Sequence, residues 1–261
     1  MAVRIYYRLV AGYDPDLGQG NRVILLMRDS HCWGKIRSMN VSLDLIQKAL
    51  LLADFDAAAY QLLMAPVPRA IRRPENLQGR PRVGAVLLLL YPKEGQLHFV
   101  LTRRRENLNS HAGQISFPGG RQDDGEILGQ TALREAQEEV GIDPTQVVML
   151  GALTSIYIPP SDFEVHPFVG WYAAAPIFYP AEWEVAEILE VPLRHLFEPA
   201  NRRQEPRDFN GLTLQIPYFA VGEHKVWGAT AVMLSEFAGR MEQVIQEGEL
   251  EGDSIPQQEN N

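Results

Sequence analysis

Three glutamates, Glu135, Glu138 and Glu139, stand at i, i+3 and i+4 in the run EAQEEV. On a helix those spacings project the carboxylates to one side. Like charges so placed destabilise a helix by roughly 0.2–0.5 kcal/mol per pair, a cost that a divalent cation among them offsets. Clustered carboxylate oxygens suit hard ions such as Mg²⁺ or Mn²⁺, whereas zinc is disfavoured because no His or Cys lies in the cluster. Arg134 precedes Glu138 by four residues and Glu126 lies upstream, so Arg134 could orient carboxylates without touching substrate. The competing reading is a solvated acidic face, which is what most runs such as EAQEE are. The residues of the cluster alone leave both open.

The elements that must position this cluster are legible from periodicity. A helical pattern covers 126–140 and stops at Gly141, a suitable left-handed cap. Upstream, VGAVLLLLY (83–91) and HFVLTR (98–103) read as strands around the turn PKEGQ. From Ser42, a plausible N-cap, Leu43, Leu45, Leu50, Leu51, Tyr60, Leu62 and Leu63 read as one helix that ends before APVPRA. An Arg-rich connector without apolar period follows at 68–82. After the acidic helix come VVMLGALTSIY, VHPFVGWYA, the mixed segment EVAEILEVPLRHLF, then LTLQIPYFAV and KVWG. A final helix spans TAVMLSEFAGRMEQVIQ, and the acidic segment after it (248–261) is expected to be a disordered tail. Strands of antiparallel length with few helices point to an α/β or α+β fold, as a three-layer α/β/α sandwich with a mixed central sheet.

The 261 residues carry 24 basic and 33 acidic side chains, a net charge of −9, with 46% hydrophobic residues. That balance excludes a general nucleic-acid binder, which needs a basic face for phosphates. The longest apolar run is strand-sized, so no membrane span is expected. A single cysteine, Cys32, and the lack of a continuous apolar leader suggest a cytoplasmic protein. Residues 1–38 hold six basic and three acidic residues, a net of +3, leaving −12 on the remainder. This segment reads either as an added hairpin, VRIYYRLV with RVILLM, or as an over-extended start with Met39 as the true first residue. The main domain is therefore expected over 39–247.

The flanks of the cluster decide between its two readings. Gly120, five residues, Glu126, seven residues and then R-E-A-Q-E-E-V-G-I reproduce the Nudix box G-x5-E-x7-R-E-U-x-E-E-x-G-U, with Ala136 and Ile142 at the aliphatic positions. Seven fixed residues at background frequencies match by accident about once in 10⁸ windows. The sequence resembles a Nudix hydrolase. By that resemblance Glu135, Glu138 and Glu139 bind Mg²⁺ or Mn²⁺, joined by the Gly120 carbonyl, while Glu126 and Arg134 stabilise the loop–helix turn. The catalytic set is then Glu135, Glu138, Glu139 and Arg134. The general base is Glu135, or a carboxylate outside the box such as Glu184 or Glu187.

The upstream stretch LTRRRENLNSHAGQISFPGG is more specific. It resembles the coenzyme A pyrophosphatase motif L-L-T-x-R-[SA]-x3-R-x3-G-x3-F-P-G-G, with Leu101, Thr102, Arg104, Gly113 and Phe117–Gly120 in register. Val100 replaces the first Leu, Arg105 stands at the Ser/Ala position and Asn109 at the second Arg. The resemblance extends over about 42–245. It implies hydrolysis of coenzyme A or its thioesters to 3′,5′-ADP and 4′-phosphopantetheine or its acyl form, with a small-molecule nucleotide pyrophosphate as partner and a homodimer allowed. Arg104 and Arg103 are the candidate phosphate contacts, Arg being shaped for bidentate pairing; for Arg103 and Arg105 a solvated strand edge competes. His111 is a further candidate contact, although a lone His is more commonly a satisfied structural group. ADP-ribose, NADH or a dinucleotide polyphosphate remains the alternative substrate. A non-catalytic nucleotide sensor is the alternative of another class, and it has no need of the complete carboxylate set.

Overall fold

Strands β3 (Arg82–Lys93) and β4 (Gln96–Arg104) form the heart of the molecule. The computed structural model describes residues 6–11, 22–27, 41–66, 79–106, 113–209 and 211–252. Glu94 and Gly95 both take positive φ, 52° and 73°, giving the two-residue turn that matches strand twist. Beyond the turn the two strands pair from Lys93↔Gln96 to Leu90↔Phe99 and then part. Two short strands fill the fork: β5 (Ile115–Ser116) pairs with β4 and β6 (Gly119–Arg121) pairs with β3.

The sheet continues through β7 (Val147–Ala152), β8 (Ile156–Ile158), β9 (Phe163–Tyr172) and β10 (Val185–Pro192). Its order is β10-β4-β3-β9-β7, with β8 on β9. Only β3 and β9 run parallel, which makes the sheet mixed as expected. The run VGAVLLLLY is continuously apolar because both faces of β3 are covered. Ala85, Leu87, Leu89 and Tyr91 face helix α3 (Leu128–Val140) with Ala132, Ala136 and Val140. Leu88 and Leu90 face the other layer, which holds α1 (Leu43–Leu50), α2 (Ala57–Leu63) and α4 (Ala229–Gly252). The result is the α/β/α sandwich.

The region read as one helix from Ser42 is two. Ser42 caps α1 as expected, accepting the Leu45 N–H at 3.2 Å. Asp56 then starts α2 by accepting the Ala59 N–H at 3.0 Å, and a side chain that competes for backbone donors in this way interrupts a helix. Helix α4 also differs, continuing to Gly252 through the acidic residues assigned to a tail; the residues beyond it fall outside those described. It is buried along most of its length, and its fully buried Glu236 accepts from Gln61, Thr154 and Arg240 at 2.8–3.0 Å.

A separate three-stranded sheet joins β11 (Arg202–Phe209), β12 (Leu212–Val221) and β13 (His224–Trp227). Strand β11, RRQEPRDF, has no apolar alternation and was not expected from the sequence. It is an edge strand, where Pro206 and exposed charge are tolerated. Near the N-terminus, β1 (Tyr6–Ala11) and β2 (Arg22–Met27) pair antiparallel in their own two-stranded sheet, the hairpin suggested by VRIYYRLV and RVILLM. Among the described residues no helix is long and apolar enough to cross a membrane.

Candidate active site

Helix α3 begins at Ile127, whose side chain cannot cap it. The work passes to neighbours: Gln130 Oε1 accepts the Ile127 N–H at 3.4 Å, and Glu126 accepts from Thr131 Oγ1 at 2.7 Å. Glu126 also receives Arg134 Nε at 2.9 Å, and Arg134 Nη2 reaches the Arg121 carbonyl at 3.0 Å. Arg134 thereby straps the loop from β6 to the helix. The guanidinium and the Thr131 hydroxyl hold the Glu126 carboxyl well down, at about 2. The other arm of Arg134 meets Glu135 at 2.9 Å and Glu138 at 3.2 Å.

Gly120 leaves room for the Glu135 carboxylate. A Cβ there would lie 2.4–2.5 Å from the carboxylate atoms of Glu135, so the side chain packs directly on the β6 backbone. Glu139 is 6% exposed, with Thr102 Oγ1 at 3.5 Å. Burial, then the nearby carboxylates of Glu184 and Glu135, push its carboxyl up to about 8, against an opposing pull from Arg104. Burial also raises Glu135, with Arg134 opposing the rise. Glu138 is more exposed. Arg134 and Arg104 offset the crowding of these carboxylates only in part, and their oxygens suit a hard divalent ion. Among the described residues no group of three or more acidic, His or Cys side chains is drawn together closely enough to hold a metal ion. Mg²⁺ does not need such a group, since it commonly takes one or two carboxylates and keeps several waters. The donor set therefore fits Mg²⁺ or Mn²⁺.

Strand β4 delivers Arg103 and Arg104, and β10 with the turn before it supplies their partners. Arg104 pairs with Glu184. Arg103 Nε meets Glu187 at 2.9 Å, and Glu187 in turn accepts from His224 at 3.2 Å. Burial works to raise Glu187, but Arg103 and His224 outweigh it and hold the carboxyl low. Glu184 and Glu187 thus differ. Glu184 acts on the charges of Glu135 and Glu139, whereas Glu187 is engaged by Arg103 and the three-stranded sheet. The structure gathers Glu135, Glu138, Glu139, Arg134, Gly120 and Arg104 around one end of α3 and turns Arg103 towards Glu187. His111 lies outside the described residues.

Sequence reasoning passed over two contributors. One is Thr102, which sits inside the quoted motif yet signals nothing by type. The other is the segment between β9 and β10. Gly141 takes φ 73° and ends α3 as expected. The Val140 and Glu139 carbonyls then accept the N–H groups of Tyr179 and Ala181, each at 2.9 Å, so a distant loop satisfies the helix end. Only the folded chain shows that tie.

Acidic side chains on a helix beside an arginine-bearing strand are the features that a hydrolase of phosphate anhydrides would use. The NUDIX domain family profile matches residues 80–210. The uncharacterized Nudix hydrolase NudL of Pectobacterium atrosepticum is 38% identical over 198 residues, covering 73% of this chain and 94% of that protein. Nudix hydrolase 15, mitochondrial, of Arabidopsis thaliana is 33% identical over 163 residues, which span 59% of this chain and 57% of the plant protein. Among solved structures, a Nudix hydrolase from M. smegmatis, RenU, superposes with a TM-score of 0.43 at 18% identity, over 72% of this chain and 97% of that one. The chain belongs to the Nudix family, and it is a pyrophosphohydrolase of nucleoside diphosphate derivatives.

Proposed function

We propose that the substrate is coenzyme A or an acyl-coenzyme A, cleaved at its pyrophosphate to 3′,5′-ADP and 4′-phosphopantetheine or its acyl form, in the cytoplasm. One observation carries the reading. Arg104, from the upstream motif, stands close enough to oppose the rise of Glu139 in the box, and its partner Glu184 acts on the same carboxylates. That proximity supports reading the two motifs as parts of one site.

Mg²⁺ or Mn²⁺ would be held by Glu135, Glu139 and Glu138 with the Gly120 carbonyl. When bound, the ion neutralises the pyrophosphate oxygens and acidifies the attacking water. Arg134 sets the angle of Glu135 and Glu138 through its bonds to both. Glu184, whose charge acts on Glu135 and Glu139 as that of Glu187 does not, would take the proton from water. Arg104, once shared with substrate, pairs with a phosphate oxygen.

The test is a panel of coenzyme A, dephospho-coenzyme A, ADP-ribose, NADH and dinucleotide polyphosphates with Mn²⁺, the products being resolved by chromatography. Coenzyme A should give the highest kcat/KM, and Glu139→Gln should lower kcat by several orders of magnitude. Faster turnover of ADP-ribose or NADH would transfer the assignment to that substrate. One observation favours this second reading: Asn109 stands where the motif has Arg, which removes a cation.

A further inference from the structure

Arg103, Arg104 and Arg105 are consecutive but not equivalent. The first two are engaged by Glu187 and Glu184. Arg105 has no carboxylate partner among the described residues, and its Nε is shut off from solvent without a hydrogen-bond partner. Arg105 as a whole is only half-buried, and a guanidinium already partly desolvated in folding gains more than a fully exposed one from an anion that meets its accessible part.

Its backbone is fixed beside the site. The Arg105 N–H donates to the Glu184 carbonyl at 2.9 Å, and the turn containing Glu184 is closed by N–H bonds from Glu184 and Val185 to the Ala181 carbonyl, at 3.0 and 2.8 Å. Ala181 itself is bonded to Glu139. At the crest of this fixed turn stands Trp183, 73% exposed. An indole normally contributes to stability by burying 150–250 Å², and here most of that surface stays in water on a turn hydrogen-bonded to the box helix.

We infer that Arg105 and Trp183 form a second recognition point for the substrate, one that reads a phosphomonoester and an adjoining planar base outside the scissile pyrophosphate. Arg105 takes the phosphomonoester through charge-assisted hydrogen bonds, and Trp183 stacks on the base. The inference rests on the substrate class proposed above and specifies which of its groups is read. Arg105 is then a specificity-determining residue, separate from the carboxylates that act on the anhydride.

The decisive measurement is calorimetric binding of adenosine 3′,5′-bisphosphate and of 5′-AMP to the full chain in chelator. The two probes differ by one phosphomonoester. The bisphosphate should bind about 10- to 100-fold more tightly, the range of a charged hydrogen bond. Arg105→Gln should remove that difference and Arg105→Lys should retain most of it. Arg203→Gln, which deletes an equal charge from the exposed edge strand β11, should leave it intact. Trp183→Ala should weaken both probes alike, by about 5- to 100-fold. A bisphosphate preference that survives Arg105→Gln overturns the role of Arg105, and unaltered affinities in Trp183→Ala overturn that of Trp183. Turnover of the matched pairs coenzyme A with dephospho-coenzyme A, and NADPH with NADH, separates the two ideas. Failure to cleave the first pair refutes the coenzyme A assignment, while the binding comparison still judges the subsite.

Discussion

Glu139 supplies a test of the site that needs no substrate. Its carboxyl rests at about 8 in the folded chain, against an ordinary value of 4.5. The folded state therefore holds this proton more tightly than the unfolded state, and the neutral side chain is the stabilising form. Its contribution is complete below about pH 4.5 and is lost as pH rises through about 8. At about 1.4 kcal/mol per pH unit, the full shift amounts to about 5 kcal/mol. Glu139→Gln removes the titration but keeps the shape of the neutral acid. In chelator, wild type and variant should melt together near pH 5. By pH 8.5 the variant should be the more stable, by up to about 5 kcal/mol, or about 10–20 °C for a domain of this size. A divalent cation should restore the wild type at high pH, since it replaces the missing proton with positive charge, and should do much less for the variant. Urea titrations and thermal melts at half-unit pH steps measure all of this. A stability difference independent of pH, or equal stabilisation of both proteins by Mg²⁺, would refute the picture of Glu139 as a buried carboxylate awaiting a cation.

Three further outcomes are expected. Gly120→Ala sets a methyl against the movable carboxylate of Glu135, so its melting temperature should fall by only a few degrees while Mn²⁺ affinity and kcat drop at least tenfold, read by calorimetry and turnover. Gly141→Ala combines φ 73° with a Cβ 2.8 Å from Tyr179, and should cost about 1–3 kcal/mol in urea unfolding. Removal of residues 1–38 should leave both kcat/KM and melting temperature within error, and aggregation of the shortened chain would show that the hairpin covers an apolar edge.

The parts legible in the sequence were those where one physical signal dominates. The two faces of β3 are both buried, so its apolar run could be nothing else, and Gly141 closed α3 as its lack of a side chain suggested. The helical spacing of Glu135, Glu138 and Glu139 put all three on one helix, which is where α3 carries them. The rest depended on competition or on distance. The first helix ends at Leu50 and Asp56 starts a second, within a leucine-rich stretch that periodicity alone would continue. Strand β11 is held by its partner β12 and by Arg207 over Trp227 at 4.4 Å, not by its own pattern. In the site, three adjacent arginines look alike on paper. Only the folded chain shows that Arg103 meets Glu187, Arg104 meets Glu184 and Arg105 meets no carboxylate among the described residues.

The last carbonyls of α3 are satisfied from outside the helix, by the amides of Tyr179 and Ala181. Those two protons can exchange with solvent only when the loop parts from the helix end that carries Glu139. Their exchange rates are therefore a clock for separation of the loop from the acidic face. Any cation that draws Glu139 into place also steadies the carbonyl of the same residue, so it should slow the clock at Ala181 first. The backbone thus reports the condition of the centre from a segment that contributes no carboxylate to the box.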